Sequence, residues 1–429
     1  MWRRWSAPEL PAERLGVATD RRSRSRPRHR RGSRGDRSRK QPSLIATTLP
    51  AAPVALPRAV VAAKHGSSLS RVERDHTVGL VIMRLVVSGT DHVYAIDVRR
   101  GSILWQHALA QPRAIVRHDD SAIIGGRGGL CSIELATGAT RWAHTGGIDT
   151  LCLVDDELYA IGPHTRLHSR VARTGAERWS SNEGLGEEWS ALYATDWYVL
   201  LLSGHATAVQ RVDGARISNV GLGEYPQLSA EVRGCGDRLV GTGWELAFAL
   251  SVDLPECVLW LTRLPEFPRS PRLVDDLLCF AFTSRSDVMA LEIATGQPRW
   301  TVDLDGPGTD HLAVHGQTLF VIDQRGRLCA LNASDGATRW TLQTDCNNAR
   351  LLVSDAAIYV VGSQTCRVSF AGVLAWIGPL STPAAAHGLA GDSLLLATQN
   401  AVMSVDTETG ALAWTLALPD VRVRPSLLA

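Results

Sequence analysis

Apolar and polar positions along residues 84–429 follow a short, repeating beat. VMALEIATGQPRW (288–300), LCALNASDGATRW (328–340), LCSIELATGATRW (130–142) and VMSVDTETGALAW (402–414) share one layout. Each opens on a strand-length run with a period-two signal, passes through a polar turn and a glycine, and closes on a second short strand ending in tryptophan. A second layout lies between these copies. LCLVDDELYAIG (151–162), RLVDDLLCFAFT (272–283), LAVHGQTLFVID (312–323) and LLVSDAAIYVVG (351–362) are each two apolar runs around a polar turn. The two layouts together predict about four short strands per repeat, with no amphipathic helix of ordinary length between them.

The period is carried by tryptophan. Trp105, Trp142, Trp179, Trp260, Trp300, Trp340, Trp376 and Trp414 are separated by 37, 37, 81, 40, 40, 36 and 38 residues, and the gap of 81 spans two repeats, with one tryptophan replaced near Ile217. A period near 40 built from four strands predicts a propeller blade. Glycine stands four residues before the tryptophan at Gly101, Gly138, Gly175, Gly296, Gly336, Gly372 and Gly410. That position suits a hairpin residue with positive φ. Four residues before the glycine, Asp97, Glu134, Glu292, Asn332 and Asp406 are placed to cap the turn, and Thr137, Thr174, Thr295 and Thr409 precede the glycine. A twisted four-stranded sheet cannot bury both faces alone, so the tryptophans are expected to pack between adjacent blades.

The pattern A-x-D-x-x-T-G-x-x-x-W resembles the repeat of the pyrroloquinoline quinone (PQQ)-like propeller superfamily, which includes quinoprotein alcohol dehydrogenases and BamB-type outer-membrane assembly lipoproteins. The resemblance covers roughly residues 84–429. Its members usually have eight blades, which implies an all-β, eight-bladed propeller here. Nine turn registers are countable, including degenerate ones at VDGARIS (212–218) and at 252–260, where Glu256 replaces the glycine. The first register (84–109) supplies only three strands. The tail VRVRPSLLA (421–429) is a candidate for the fourth, which would close the ring, remove its open edges and make nine blades.

Composition divides the chain in two. Residues 1–75 hold 18 Lys+Arg and 6 Asp+Glu, whereas residues 76–429 hold 27 and 37, so net charges of +12 and −10 hide behind a total of +2. RRSRSRPRHRRGSRGDRSRK (21–40) has no apolar residue and cannot form a core. Residues 1–77 are therefore expected to be a disordered Arg-rich segment, with the propeller at 78–429. Three readings of the segment compete: a basic tail that binds nucleic acid or acidic surfaces, a targeting segment, or a mis-assigned start, with Met83 directly before the first clear propeller strand. The acidic propeller itself disfavours nucleic acid.

Candidate chemistry is sparse. Quinoprotein dehydrogenases resemble one another in an adjacent cysteine pair, a Ca²⁺ site and an aspartate base. The eight cysteines here include no such pair, and none has metal-ligand spacing. No catalytic residue, cofactor or metal site is expected. The Asp119–Asp120, Asp155–Asp156 and Asp275–Asp276 steps fall at one point of their repeats and are expected in turns. His164 with His168, and His311 with His315, have the spacing for one strand face but no evident third ligand. Trp189, Trp197 and Trp244 stand outside the repeat position, near the degenerate registers, and are candidate partner-binding residues. The competing assignment makes them core substitutes for the missing tryptophan.

The function expected is a non-catalytic scaffold that binds a protein or peptide partner through loops and a central funnel. The alternatives are an enzyme sited in the funnel and a BamB-like envelope assembly factor. No segment reads as a membrane span, and the unpaired cysteine spacing suggests the cytoplasm, with the periplasm as the alternative. A lipid-attachment cysteine near the N-terminus is not seen, since the first cysteine is Cys131.

Overall fold

Alternation of apolar residues with tight polar turns produces strands everywhere it occurs. The computed structural model describes residues 60–63, 84–162, 166–181, 191–202, 205–222, 231–243, 245–253, 258–282, 284–304, 311–378, 386–418 and 427–428, and all its regular elements are β-strands. They form nine antiparallel sheets of four strands in hairpin order. These are blade 1 (84–108, completed by 427–428), blade 2 (112–144), blade 3 (150–180), blade 4 (191–221), blade 5 (231–263), blade 6 (268–303), blade 7 (311–343), blade 8 (350–378) and blade 9 (386–417).

The first strands of blades 2 to 8 neighbour one another in turn, blades 8 and 9 share a core through Tyr359 and Leu396, and Leu427–Leu428 sits between the first strands of blades 9 and 2. That tail strand pairs with Arg84–Ser88, with Val86 opposite Leu428 and Val87 opposite Leu427. The expectation of eight blades is thereby corrected to nine. The first register gains its missing strand from the far end of the chain, so no register is left outside the ring. Blade 4 carries a fifth strand, Val60–Ala63, antiparallel to its innermost strand Ala191–Ala194.

Burial follows position in the blade. Middle strands such as Tyr198–Leu202 and Leu277–Phe282 are buried at every residue, because both faces meet a neighbouring blade. Fourth strands such as Val258–Arg263 alternate between exposed and half-buried residues, since they form the outer wall.

The tryptophans join the blades. All eight lie on fourth strands, and each indole N–H donates to a backbone carbonyl of the next blade at 2.7–3.0 Å: Leu135, Ala172, Arg211, Ile293, Ala333, Phe370, Thr407 and, from Trp414, Val98 of blade 1. Each indole also lies flat on the turn glycine of that next blade. These glycines have φ of +63° to +80°, and at Gly138 and Gly410 an added Cβ would fall 2.6 Å from the indole. Glycine is thus required for backbone conformation and for space. The expectation of inter-blade packing holds, and Gly214 of blade 4 also receives Trp179.

The seam between blades 4 and 5 differs. Ser218 stands opposite Ala208 as Trp300 stands opposite Ala290, so Ser218, beside Ile217, occupies the missing tryptophan's position. Its buried hydroxyl finds no hydrogen-bond partner among the described residues. Tyr198 substitutes from a different strand: its hydroxyl donates at 2.6 Å to the carbonyl of Val252, the acceptor equivalent to those the indoles use elsewhere. Glu256, at the position of the turn glycine, lies outside the described residues.

Candidate functional site

In seven blades the first hairpin turn is tied to the third, the turn between strands three and four, by one backbone bond. The amide just after the third strand donates to the residue just before the second strand. The accepting residue is Asp120, Asp156, Asp237, Asp276 or Asp392 in five of them and Gln317 in a sixth. In blade 4 it is Trp197, whose carbonyl accepts from Arg211 at 3.1 Å. Five blades thus place an aspartate at this point of one rim, and blade 4 places an aromatic ring there.

The backbone beneath Trp197 is firmly held. Thr195 Oγ1 accepts from the amides of Trp197 and Tyr198 at 3.3 and 3.1 Å. Arg211 donates to the Thr195 carbonyl at 2.8 Å and to Glu157 of blade 3 at 2.6 and 2.9 Å. Burial raises the Glu157 carboxyl, but hydrogen bonds from Tyr159 and Arg211, with the charges of Arg211 and Arg178, outweigh it and hold the group below the usual carboxylate range. On this fixed base the Trp197 side chain is 81% exposed, and Val212, next to Arg211 in the adjoining turn, is 78% exposed. A rigid turn presenting a large apolar pair to solvent is suited to contact with another macromolecule.

Trp197 is thus no core substitute. Trp189 and Trp244 lie outside the described residues. The strand ends that flank them, Ser180 and Ala191 for one and Gly243 and Leu246 for the other, belong to the opposite rim from Trp197.

A second cluster lies on the first strands of blades 6 to 9 and takes in His311, which the sequence paired with His315 instead. His311 and His387 are the centres. Burial first, then the charges of Arg350, Arg272 and Arg269, push the His311 imidazole down to about 3. Burial, then Arg350 and His311, push His387 down to about 3. Both imidazoles are neutral near pH 7, and His387 Nδ1 has no hydrogen-bond partner among the described residues. Arg269, Arg272 and Arg350 thus lie near these two imidazoles, each engaged with partners of its own.

The other candidates resolve into structure. Asp119, Asp155 and Asp275 hold φ of +50° to +53° in first-hairpin turns, as expected of turn residues. His315 stacks on Phe370 at 4.1 Å, His168 lies 3.2 Å from the Glu177 carboxylate, and His164 is outside the described residues. Among the described residues no group of three or more His, Cys, Asp or Glu side chains is arranged to hold a metal ion. No helix among them is long and apolar enough to cross a membrane.

Comparison with known proteins adds a family. The family model described as outer membrane protein assembly factor BamB matches residues 70–219, 202–381 and 284–427. The outer membrane protein assembly factor BamB of Alkalilimnicola ehrlichii is 29% identical over 135 residues, covering 32% of this chain and 33% of the relative. That of Xanthomonas campestris is 29% identical over 154 residues, covering 36% and 35%. The chain thus matches about a third of the length of these curated relatives. Among solved structures, BamB from Moraxella catarrhalis aligns at 17% identity and TM-score 0.47, covering 69% of this chain and 97% of that one. A dihydro-heme d1 dehydrogenase aligns at 14% identity and TM-score 0.51 over 84% of this chain and 76% of its own, a likeness of fold alone. With most of its length matched by the family model, the chain belongs to the family of outer membrane protein assembly factor BamB.

Proposed function

We propose that this chain is a non-catalytic, protein-binding propeller that serves the assembly of outer membrane proteins. The observation that carries the reading is Trp197 with Val212: an exposed apolar pair on a hydrogen-bonded turn, at a position where five other blades present aspartate. Family membership supports the process, and the exposed pair supports the mode. An aromatic anchor on a rigid rim provides contact area with little ordering cost.

This role requires export, so we propose the periplasmic alternative rather than the cytoplasm. The test is quantitative mass spectrometry of outer membranes from a strain lacking the gene, complemented with wild-type protein or with Trp197→Ala. The reading predicts reduced β-barrel protein levels in the deletion strain, restored by wild type and only partly by the variant. Unchanged levels in the deletion strain would overturn it.

A further inference from the structure

Cys346 and Cys366 are twenty positions apart in sequence, yet their Sγ atoms lie 3.7 Å from each other. Both residues are 1% exposed and belong to the same apolar cluster between blades 7 and 8. Cys346 sits in the crossover from the outer strand of blade 7 to the inner strand of blade 8, and Cys366 lies on the third strand of blade 8. Their proximity is enforced by the backbone. On one side of Cys346, the Asp345 carbonyl accepts from Ser363 Oγ at 3.1 Å. On the other, the Asn347 amide donates to Ser363 Oγ at 3.1 Å, and the Asn347 carbonyl accepts from the Ser363 amide at 3.2 Å. The crossover is therefore clamped to the loop that leads into the Cys366 strand, and the two thiols face each other whatever their redox state.

We propose that Cys346 and Cys366 form a disulfide that staples the blade 7–8 crossover to blade 8. A sulfur–sulfur bond is about 2 Å long, so side-chain rotation has to close the remaining gap. The step is thiol–disulfide exchange with an oxidised dithiol or glutathione-type disulfide. One sulfur–sulfur bond forms between the two cysteines and one breaks in the oxidant. Two electrons and two protons pass to the oxidant, which leaves as two thiols. The pair is electronically suited to this. The hydrogen bond between the two thiols holds Cys346 below the usual thiol range, while the same interaction and burial push Cys366 up. Exchange takes place as the chain folds or when the seam opens, because both sulfurs are shielded afterwards. The inference stands independently of the function proposed above. A staple here adds most in an oxidising compartment, where it removes freedom from the unfolded chain.

The full-length protein is to be refolded from denaturant in oxidised and in reduced glutathione, then denatured again and alkylated. Thiols are counted by intact mass, followed by tryptic mapping. Cleavage after Arg339, Arg350 and Arg367 places the two cysteines on separate peptides, 340–350 and 351–367. The expected result is two fewer alkylated thiols in the oxidised sample, one linked peptide joining 340–350 to 351–367, and a thermal midpoint a few degrees above that of the reduced protein. In Cys366→Ala both the linked peptide and the redox-dependent shift disappear. Equal thiol counts in both samples, or a link between other cysteines, would overturn the proposal. The comparison of oxidised with reduced wild type needs no variant to fold.

Discussion

At the scale of the residue, the unit of cohesion is one tryptophan lying on one glycine. The two demands on that glycine, positive φ and absence of a Cβ, are separable by experiment. Gly336 has φ +72°, and a Cβ there would meet Val302 at 2.7 Å and Trp300 at 2.8 Å. Gly236 has φ +60° with nothing within 4 Å. Gly236→Ala is expected to cost about 1 kcal/mol for the left-handed backbone alone. Gly336→Ala adds overpacking to that and is expected to cost about 3 kcal/mol. Urea unfolding of the two variants side by side checks the difference; equal losses would mean that the indole does not depend on the bare glycine. Trp300→Phe keeps a ring but leaves the Ala333 carbonyl unpaired, with an expected loss of about 1–2 kcal/mol in the same assay.

At this scale the sequence was legible wherever the requirement is local. A turn needing φ > 0 selects glycine, and an inter-blade plate selects tryptophan, so both recur at fixed spacing. Tyr198 was not legible, because it reaches the Val252 carbonyl from a different strand than the tryptophan it replaces. The significance of Trp197 emerged only when hydrogen bonds aligned it with Asp120, Asp156, Asp237, Asp276 and Asp392. Cys346 and Cys366 meet because Ser363 pins a crossover, which spacing does not reveal.

At the scale of the element, every blade is a hairpin stack whose pairing is sequential, and one strand breaks that rule. Leu427–Leu428 completes blade 1 from the other end of the chain, and Trp414 binds the Val98 carbonyl across the same seam. Local pattern announced nine registers, but the number of blades depended on a pairing that spans the whole propeller. The eight-blade expectation failed at that point. Removing residues 427–429 is expected to expose the inner edge of blade 1 and lower the thermal midpoint by several degrees while leaving blades 2 to 9 paired. Hydrogen exchange would show the loss concentrated in residues 84–108; uniform loss around the ring would argue against a local closure. Val60–Ala63 adds a fifth strand to the same blade that lacks tryptophan at Ser218 and presents Trp197, so three departures from the repeat converge on blade 4.

At the scale of the molecule, charge is distributed unevenly around the axis. The cluster of Arg269, Arg272, Arg350, His311 and His387 assembles from first strands about 40 residues apart. A reader of the sequence meets these as separate polar residues, with His311 paired to His315 instead. Both histidines have folded values near 3, below the ordinary 6.5 of the unfolded chain. The unfolded state therefore binds more protons between these limits. The stability they contribute is present above about pH 6.5 and lost as pH falls toward 3. Both groups act in the same direction, so the loss of stability steepens within that window. Urea midpoints at pH 7.5 and 5.0 are expected to differ, and His311→Asn with His387→Asn is expected to flatten the difference. An unchanged pH dependence in that double variant would show that the imidazoles are solvated.

The central claim is that a rigid, exposed rim of blade 4 binds a protein. It is tested most directly by placing a photo-cross-linking amino acid at position 197, and separately at Ile377 on the outer wall of blade 8 (48% exposed), in the source organism. The account predicts one discrete protein adduct from position 197, identified as a component or substrate of outer membrane protein assembly, and none from position 377. No adduct at 197, or the same set of adducts at both positions, would contradict it.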